Sequence, residues 1–300
     1  MTSRPRQWLD YFLLRVLYMV ALPLPRVALL AVGRCLGDFV WYVVRYRRQV
    51  VLAHITDSFV GEKSAREIRL IAHAFYRNLG MTLMEFLSFP RLNRERVLAL
   101  VELEGVEHLE ALQRAGRGGL IVSGHYGNWE LLGAVVAAVG GKINCLVKTQ
   151  SNARVDRLQN EIRSRVGVGA IRADSGIRDM VRALRRNEFI GLIGDQDAGG
   201  DGLFTEFLGR PASVFKGTAY FAWKLKVPVI TVFVRRLPDG RHRVCFEASF
   251  SADPAWDEET AVRRLTEIHV QRLAAAVRMA PEQYFWLHRR WKTRPPEEVL

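Results

Sequence analysis

From about residue 100 onward, short apolar runs alternate with longer amphipathic stretches. Residues 119–122, Gly-Leu-Ile-Val, carry no polar position and predict a buried strand. Residues 189–193 and 227–234 have the same character, and 101–104, 142–148 and 170–172 predict shorter strands. Residues 243–248 predict an edge strand. Between them, 106–115, 131–139, 152–166, 176–187, 214–224 and 260–278 place apolar residues at helical spacing. Strands alternating with helices predict an α/β fold with a largely parallel central sheet flanked by helices.

The chain before residue 100 reads differently. Residues 8–46 are strongly apolar and rich in Trp, Tyr and Phe, and Pro23 and Pro25 break them at their midpoint. Arg15, Arg26, Arg34 and Asp38 interrupt the apolar run, which argues against a standard membrane-spanning helix. No small-residue cleavage site follows, which argues against a secretory signal. Two helices flanked by Arg4, Arg6, Arg45, Arg47 and Arg48 suit a membrane-interface anchor whose arginines meet anionic headgroups. A single tilted span with snorkelling arginines and a helical pair packed on the domain are the alternatives. Farther on, Ser64-Ala-Arg-Glu67 is a capping box opening a helix that ends before Pro90. Its apolar Ile68, Ala72, Phe75, Leu79, Leu83 and Phe86 share a face. The expected organisation is a membrane-associating segment (1–46), a helical region packed on the core (47–99) and an α/β core (100–300).

Composition adds a partner. The formal net charge of +13 calls for something anionic: nucleic acid, anionic lipid or an acidic carrier protein. No nucleic-acid motif interleaves aromatic and basic residues, which leaves the last two. Cys35, Cys145 and Cys245 lie far apart and fit a reducing compartment without disulfides.

The chemistry concentrates between the 119–122 strand and the 131–139 helix, in Ser123-Gly-His-Tyr-Gly-Asn-Trp-Glu130. Strand-to-helix turns are where α/β proteins present reactive groups. Along an unbroken helix His125 and Glu130 would stand roughly 140° apart. They meet if His125 is on the turn and Asn128 caps a helix with Glu130 in its first turn, where a carboxylate also suits the dipole. A carboxylate on Nδ1–H would then leave Nε2 as a base. A capped helix beside a satisfied histidine explains the same spacing. Asp195 and Asp197 flank Gln196 after the 189–193 strand and could serve catalysis, bind a metal or cap a loop. Arginines at 154, 157, 163, 165, 178, 182, 185 and 186 are either a solvated face or a surface for an anionic ligand. Cys145 has no adjacent base, and Gly-x-Ser-x-Gly and His-Glu-x-x-His are absent, which disfavours thiol, serine-hydrolase and zinc chemistry.

The His125-Tyr-Gly-Asn-Trp-Glu130 segment resembles the His-x4-Asp/Glu motif of the late-stage lipid A biosynthesis acyltransferases, relatives of the glycerolipid acyltransferases. Gly194-Asp-Gln-Asp-Ala-Gly199 is similar to that family's Asp-Gln segment, and Phe207-Leu-Gly-Arg-Pro-Ala212 to its Phe-Phe-Gly-x-x-Ala segment. The stretch from Lys216 to Val229 resembles its next helix and strand, and residues 281–294 its C-terminal signature. Gly124 replaces an asparagine common before the histidine, and Thr231 stands where many members have proline, which marks a divergent branch. The resemblance implies acyl transfer, without metal or redox cofactor, from an acyl thioester to a glycolipid hydroxyl at the cytoplasmic face of the bacterial inner membrane. The donor would be acyl carrier protein, or acyl-CoA as co-substrate. In it His125 is the general base, Glu130 orients the imidazole, Arg165 (with Arg163 close in register) supports the charged substrate or oxyanion, and Asp195 is the acidic strand-end residue. Asn128, Arg163, Gln196 and Lys216 are the expected substrate contacts. A different lipid acceptor, such as a phosphoinositol mannoside or a lysolipid, is the alternative among enzymes. A catalytically silent membrane or carrier-binding scaffold is the alternative outside them.

Overall fold

The structure, a computed structural model, describes residues 4–296. Residues 1–3 and 297–300, at the outer ends of the expected 1–46 and 100–300 units, and the Arg4 side chain lie outside the described residues.

The prolines set the first bend. Helix α1 (Arg4–Ala21) turns through residues 22–25 into α2 (Arg26–Phe39), which runs on as a π-helical turn, Val40–Val44. After Arg45 and Arg47, both with positive φ, comes α3 (Arg48–Ser58). Helix α4 (Ala65–Ser88) opens on the expected capping box, with the Ser64 and Glu67 side chains each accepting the other's backbone N–H. It gives way at Pro90 to a short 3-10 turn, Phe89–Arg91.

Helix α2 lies against α4 at a separation that glycine alone permits. A Cβ on Gly33 would sit 2.6 Å from Met81 Cα, and one on Gly37 would overlap the backbone of Tyr76 and Arg77. One turn on, Asp38 takes His73 Nε2 at 2.6 Å and Arg77 Nε at 3.2 Å from α4. This half of the apolar segment is therefore packed on the domain. The 19-residue stretch Arg26–Val44 is nonetheless, by length and composition, long and apolar enough to cross a membrane, with a mean hydropathy of 1.7 over its best 18 residues. Helix α1 instead turns Trp8, Leu9, Phe12, Leu13, Val16 and Met19 outward, and Tyr42, Val43 and Val44 of the π turn are exposed as well.

The rest builds the sheet. In chain order come α5 (Arg94–Ala99), β1 (Val101–Glu104), α6 (Val106–Arg114), β2 (Gly119–Ser123), α7 (Trp129–Ala138) and β3 (Ile143–Val147). Then follow α8 (Ala153–Ser164), β4 (Val168–Arg172), α9 (Ile177–Arg185), β5 (Phe189–Ile193), β6 (Leu203–Phe207) and β7 (Arg210–Val214). Helix α10 (Gly217–Leu225), β8 (Val229–Arg236), β9 (His242–Phe246), α11 (Glu258–Met279) and a 3-10 turn, Pro281–Gln283, complete it. Seven strands form one sheet in the order β1-β9-β8-β2-β5-β3-β4. All neighbours are parallel except β8 and β9, so the largely parallel α/β fold expected from the alternation is the one observed.

Two expectations need correction. Strand β9 is not at an edge: β1 covers one side of it and β8 the other. Its buried His242, Val244 and Phe246 alternate with less buried Arg243 and Cys245 because one face is uncovered, not one edge. Residue 214 belongs to a strand rather than a helix, since β6 and β7 pair as a hairpin through Leu208 and Gly209, both at positive φ.

Because no side chain fits between α2 and α4, Gly33→Val should destabilise the protein by about 1–3 kcal/mol. Denaturant unfolding of the detergent-solubilised protein measures this, and an unchanged midpoint would contradict the close-packed helix pair.

Candidate active site

The β2 and β5 strands are parallel neighbours with Ser123 opposite Ile193, so the turns that follow them leave the same sheet edge side by side. One delivers His125 and the other Asp195. The Asp195 carboxylate takes both donors the histidine offers: its Oδ2 accepts the backbone N–H at 2.9 Å, and its Oδ1 faces Nδ1 at 2.7 Å. Gly124 makes the approach possible, since a Cβ there would meet Leu273 at 2.6 Å and Asp195 Oδ2 at 3.3 Å. The imidazole is held between Trp129 and Phe285, at centroid distances of 5.2 and 5.6 Å.

With Nδ1–H directed at a carboxylate, Nε2 carries the lone pair. Burial pulls the His125 pKa down, but the charge and hydrogen bond of Asp195, with a smaller push from Glu130, override it and raise it above the ordinary 6.5. Burial likewise pushes the Asp195 carboxyl up, and the imidazole's charge and hydrogen bonds outweigh this and lower it. The pair thus stabilises its ionised form.

Glu130 stands where the capping argument put it. Asn128 Oδ1 accepts the Leu131 N–H at 3.1 Å, and Glu130 is in the first turn of α7. Its carboxylate, however, faces α8, where Arg163 binds it bidentately: Nε donates to Oε2 at 2.9 Å and Nη2 to Oε1 at 2.7 Å. The carboxylate on His125 Nδ1 is therefore Asp195, not Glu130. Neighbouring strands bring His125 and Asp195 together across 70 residues of chain, whereas the first turn of α7 aims Glu130 at the adjacent helix. Arg165 is corrected for a related reason. Two residues turn a helix by roughly 200°, so Arg165 faces away from Arg163, is 63% exposed and pairs with Glu161 at 3.7 Å.

Asn128, expected at the substrate, is fully buried, and its amide is committed at both ends. Its Nδ2 donates to Glu85 Oε2 at 2.8 Å. Glu85, on the core face of α4, gathers Arg236 through two bonds of 3.0 and 2.7 Å, His242 Nε2 at 3.1 Å and Arg26 at 3.0 Å. Burial raises the Glu85 carboxyl's pKa, and these partners reverse that and hold it well below the ordinary carboxylate range. This buried network anchors the start of α7, and sequence reasoning missed it. A carboxylate on the apolar face of α4 and a histidine in register with the apolar Val244 and Phe246 of β9 were its signal, because such groups need buried partners.

The C-terminal segment fastens both turns. The Phe285 N–H donates to the His125 carbonyl at 2.9 Å, and the Gly127 N–H to the Gln283 carbonyl at 2.8 Å. The Asp197 N–H donates to His288 Nε2 at 2.9 Å, while its carboxylate accepts from Thr293 N and Oγ1 at 3.2 and 2.8 Å. Asp195 and Asp197 thus answer to different partners and share no ligand position. Gln196, half-buried between them, gives its carbonyl to Arg290 at 3.3 Å. Lys216 is exposed just before α10, whose Thr218 lies near Gly194. Burial pushes the Cys145 thiol up to about 12, which removes it as a nucleophile.

A His–Asp pair at the carboxyl edge of a parallel sheet, its aspartate buried and its histidine partly so, with Nε2 left to carry the lone pair, defines a site for general-base chemistry. The sequence model described as bacterial lipid A biosynthesis acyltransferase matches residues 1–293. The chain belongs to that family. It is 28% identical to the lipid A biosynthesis palmitoleoyltransferase of Escherichia coli (strain K12), over 98% of this chain and 94% of the relative. It is 29% identical to the lipid A biosynthesis lauroyltransferase of the same organism, over 97% and 94%. Among solved structures it is similar to the 1-acyl-sn-glycerophosphate acyltransferase PlsC from Thermotoga maritima, with a TM-score of 0.40 and 14% identity over 81% of this chain and 96% of that one, too remote to carry an argument.

If Glu130 and Arg163 act as a closed pair, their alanine variants should be strongly coupled in stability, by about 1–3 kcal/mol in a double-mutant cycle. Additive effects in denaturant unfolding would contradict the pairing.

Proposed function

We propose that the protein moves a fatty acyl chain from an acyl thioester to a hydroxyl of a lipid A precursor or a similar glycolipid. The observation that carries this reading is the His125–Asp195 pair, with Nδ1 held by a carboxylate and Nε2 left as the base. Nε2 takes the proton of the acceptor hydroxyl as its oxygen attacks the thioester carbonyl. The tetrahedral oxyanion collapses, the C–S bond breaks, and the departing thiolate receives the proton from the imidazolium. Asp195 stabilises the imidazolium between these steps. The Trp129 and Glu130 N–H groups, which open α7 ahead of the capped Leu131 N–H, are suited to the oxyanion. Glu130 and Arg163 brace α7 against α8 beside the base, and Gln196 and Lys216 are offered to the substrate from the neighbouring turn and helix start.

Other features support the substrates. A cavity of about 290 Å³ lies under the α1–α2 turn, with apolar walls that include Leu24, Leu29, Phe89 and Leu131 and with charged Arg26, Glu85, Arg91 and Arg96 also lining it. It is about twice the ~150 Å³ that holds one benzene ring, room for roughly a dozen carbons of alkyl chain. The outward apolar face of α1 suits the membrane surface, here the cytoplasmic face of the inner membrane, where a glycolipid acceptor would reside. Helix α1 is tied to α8 by the Asn152 amide on the Gln7 carbonyl at 2.6 Å and by Arg154 stacked 3.9 Å over Trp8. Exposed Arg157, Arg178 and Arg185 on α8 and α9 favour an acidic donor such as acyl carrier protein over a neutral one.

Mass spectrometry of membrane lipids from cells with and without the protein tests the reading. An added acyl chain on a lipid A precursor is expected, and His125→Ala should remove it, with acyl-transfer kcat/KM falling by about 10²–10⁴. An acyl chain gained by a different lipid replaces the acceptor, and an unchanged lipid profile contradicts acyl transfer altogether.

A further inference from the structure

Asp195 has a second neighbourhood besides His125. A small cavity of about 10 Å³ adjoins it, walled in part by Ser123, Thr231, His269 and Arg290. Arg290 is 3% exposed and His269 is 7% exposed. The guanidinium donates through Nη1 to the carbonyls of Ser213 and, at 3.3 Å, Gln196, and its carbon lies 5.6 Å from the Phe207 ring centroid. None of its hydrogen bonds among the described residues reaches a carboxylate. Its Nε–H and His269 Nε2 have no hydrogen-bond partner among the described residues. A desolvated cation with an idle donor opposes folding, so packing alone gives no reason for it. A cavity of this volume fits one water, which needs two to four polar partners, and those idle atoms supply them.

We propose that Arg290 is a positioning residue of the acyl-transfer pair: with His269 it holds one water in this cavity, and the cation, the water and the bonded loop carbonyls together keep Asp195 ionised and aimed at His125. The proposal rests on His125 acting as the base, as set out above. Burial and then the charge of Arg290 push the His269 imidazole down to about 4, so it stays neutral and can accept from the water or donate to it. The titratable and charged groups around the pair are Glu130 from α7, His269 from α11, and Tyr284, His288 and Arg290 from the C-terminal segment. Arg290 is the permanent cation among them.

The test is an NMR titration of His125 in the full-length protein with isotope-labelled histidine, in detergent micelles, beside steady-state kinetics. Arg290→Gln keeps an amide donor for the loop carbonyls and removes the charge. His125 should then titrate lower by roughly half a unit or more, because Asp195 is less well ionised and less well aimed at it. The kcat should fall about tenfold or more while KM stays within about twofold. Arg290→Lys, which keeps the charge, should titrate like the wild type. A crystal structure of the wild type should show one water within about 3.2 Å of Arg290 Nε and His269 Nε2. An unmoved or raised titration in Arg290→Gln overturns the proposal, as does an equal shift in Arg290→Lys, and a dry cavity overturns the water's part. An Arg290 that served folding alone would reduce the yield of folded protein and leave the titration of the folded fraction unmoved. The titration is read without turnover, so its failure is distinct from that of His125 as base, which would show as wild-type transfer by His125→Ala.

Discussion

The pairing of β2 with β5 is the constraint on which the site depends. Parallel strands in this register send both following turns out of one sheet edge, and Ser123 opposite Ile193 sets His125 beside Asp195. A slip of one residue would turn the faces of one strand over relative to the other and part the two groups. The buried apolar side chains of β2 and β5 hold the register, since Leu120, Ile121, Phe189 and Ile190 are all essentially inaccessible. The geometry of the His125–Asp195 pair is thus a consequence of how the core packs.

Around that edge, buried charge does the fixing. Glu85 binds Arg236, His242, Arg26 and Asn128 and so sets where α7 begins. Removing one member of such a network strands the rest in a dry interior, at a cost of about 3–5 kcal/mol. Glu130 and Arg163 brace the same helix from its other side. The segment after α11 closes the turns from above, with Phe285 on His125 and His288 and Thr293 on Asp197. His125 is therefore supported by residues from both ends of the chain.

Much of this was legible before any coordinates. The apolar runs gave the strands because a sheet covered on both faces needs continuous burial, and the Asn128 cap put Glu130 in the first turn of α7 as expected. The motifs that resemble the acyltransferase family stand in a chain that belongs to it. What could not be read was the partner of each charged group. Spacing compares residues within one local segment, so it offered Glu130 to His125 and could not see Asp195 arriving from a neighbouring strand. Arg163 and Arg165 differ by two positions in sequence and by just over half a turn at the end of α8, which only the helix's orientation toward α7 resolves. Strand order was equally hidden: β8 and β9 form a local hairpin, but β1 pairs with β9 from far along the chain, a placement that leaves no local trace.

The most direct measurement of the central claim, that Asp195 rather than Glu130 orients and charges the base, is the pH dependence of kcat/KM for acyl transfer in three proteins. In the wild type, activity should fall with decreasing pH through a group titrating above 6.5, since the base must be unprotonated and Asp195 raises its pKa. Asp195→Asn should move that acidic limb to lower pH and reduce the plateau by about 10²-fold or more, whereas Glu130→Gln should move it far less. A limb that stays in place in Asp195→Asn and shifts instead in Glu130→Gln would contradict the account.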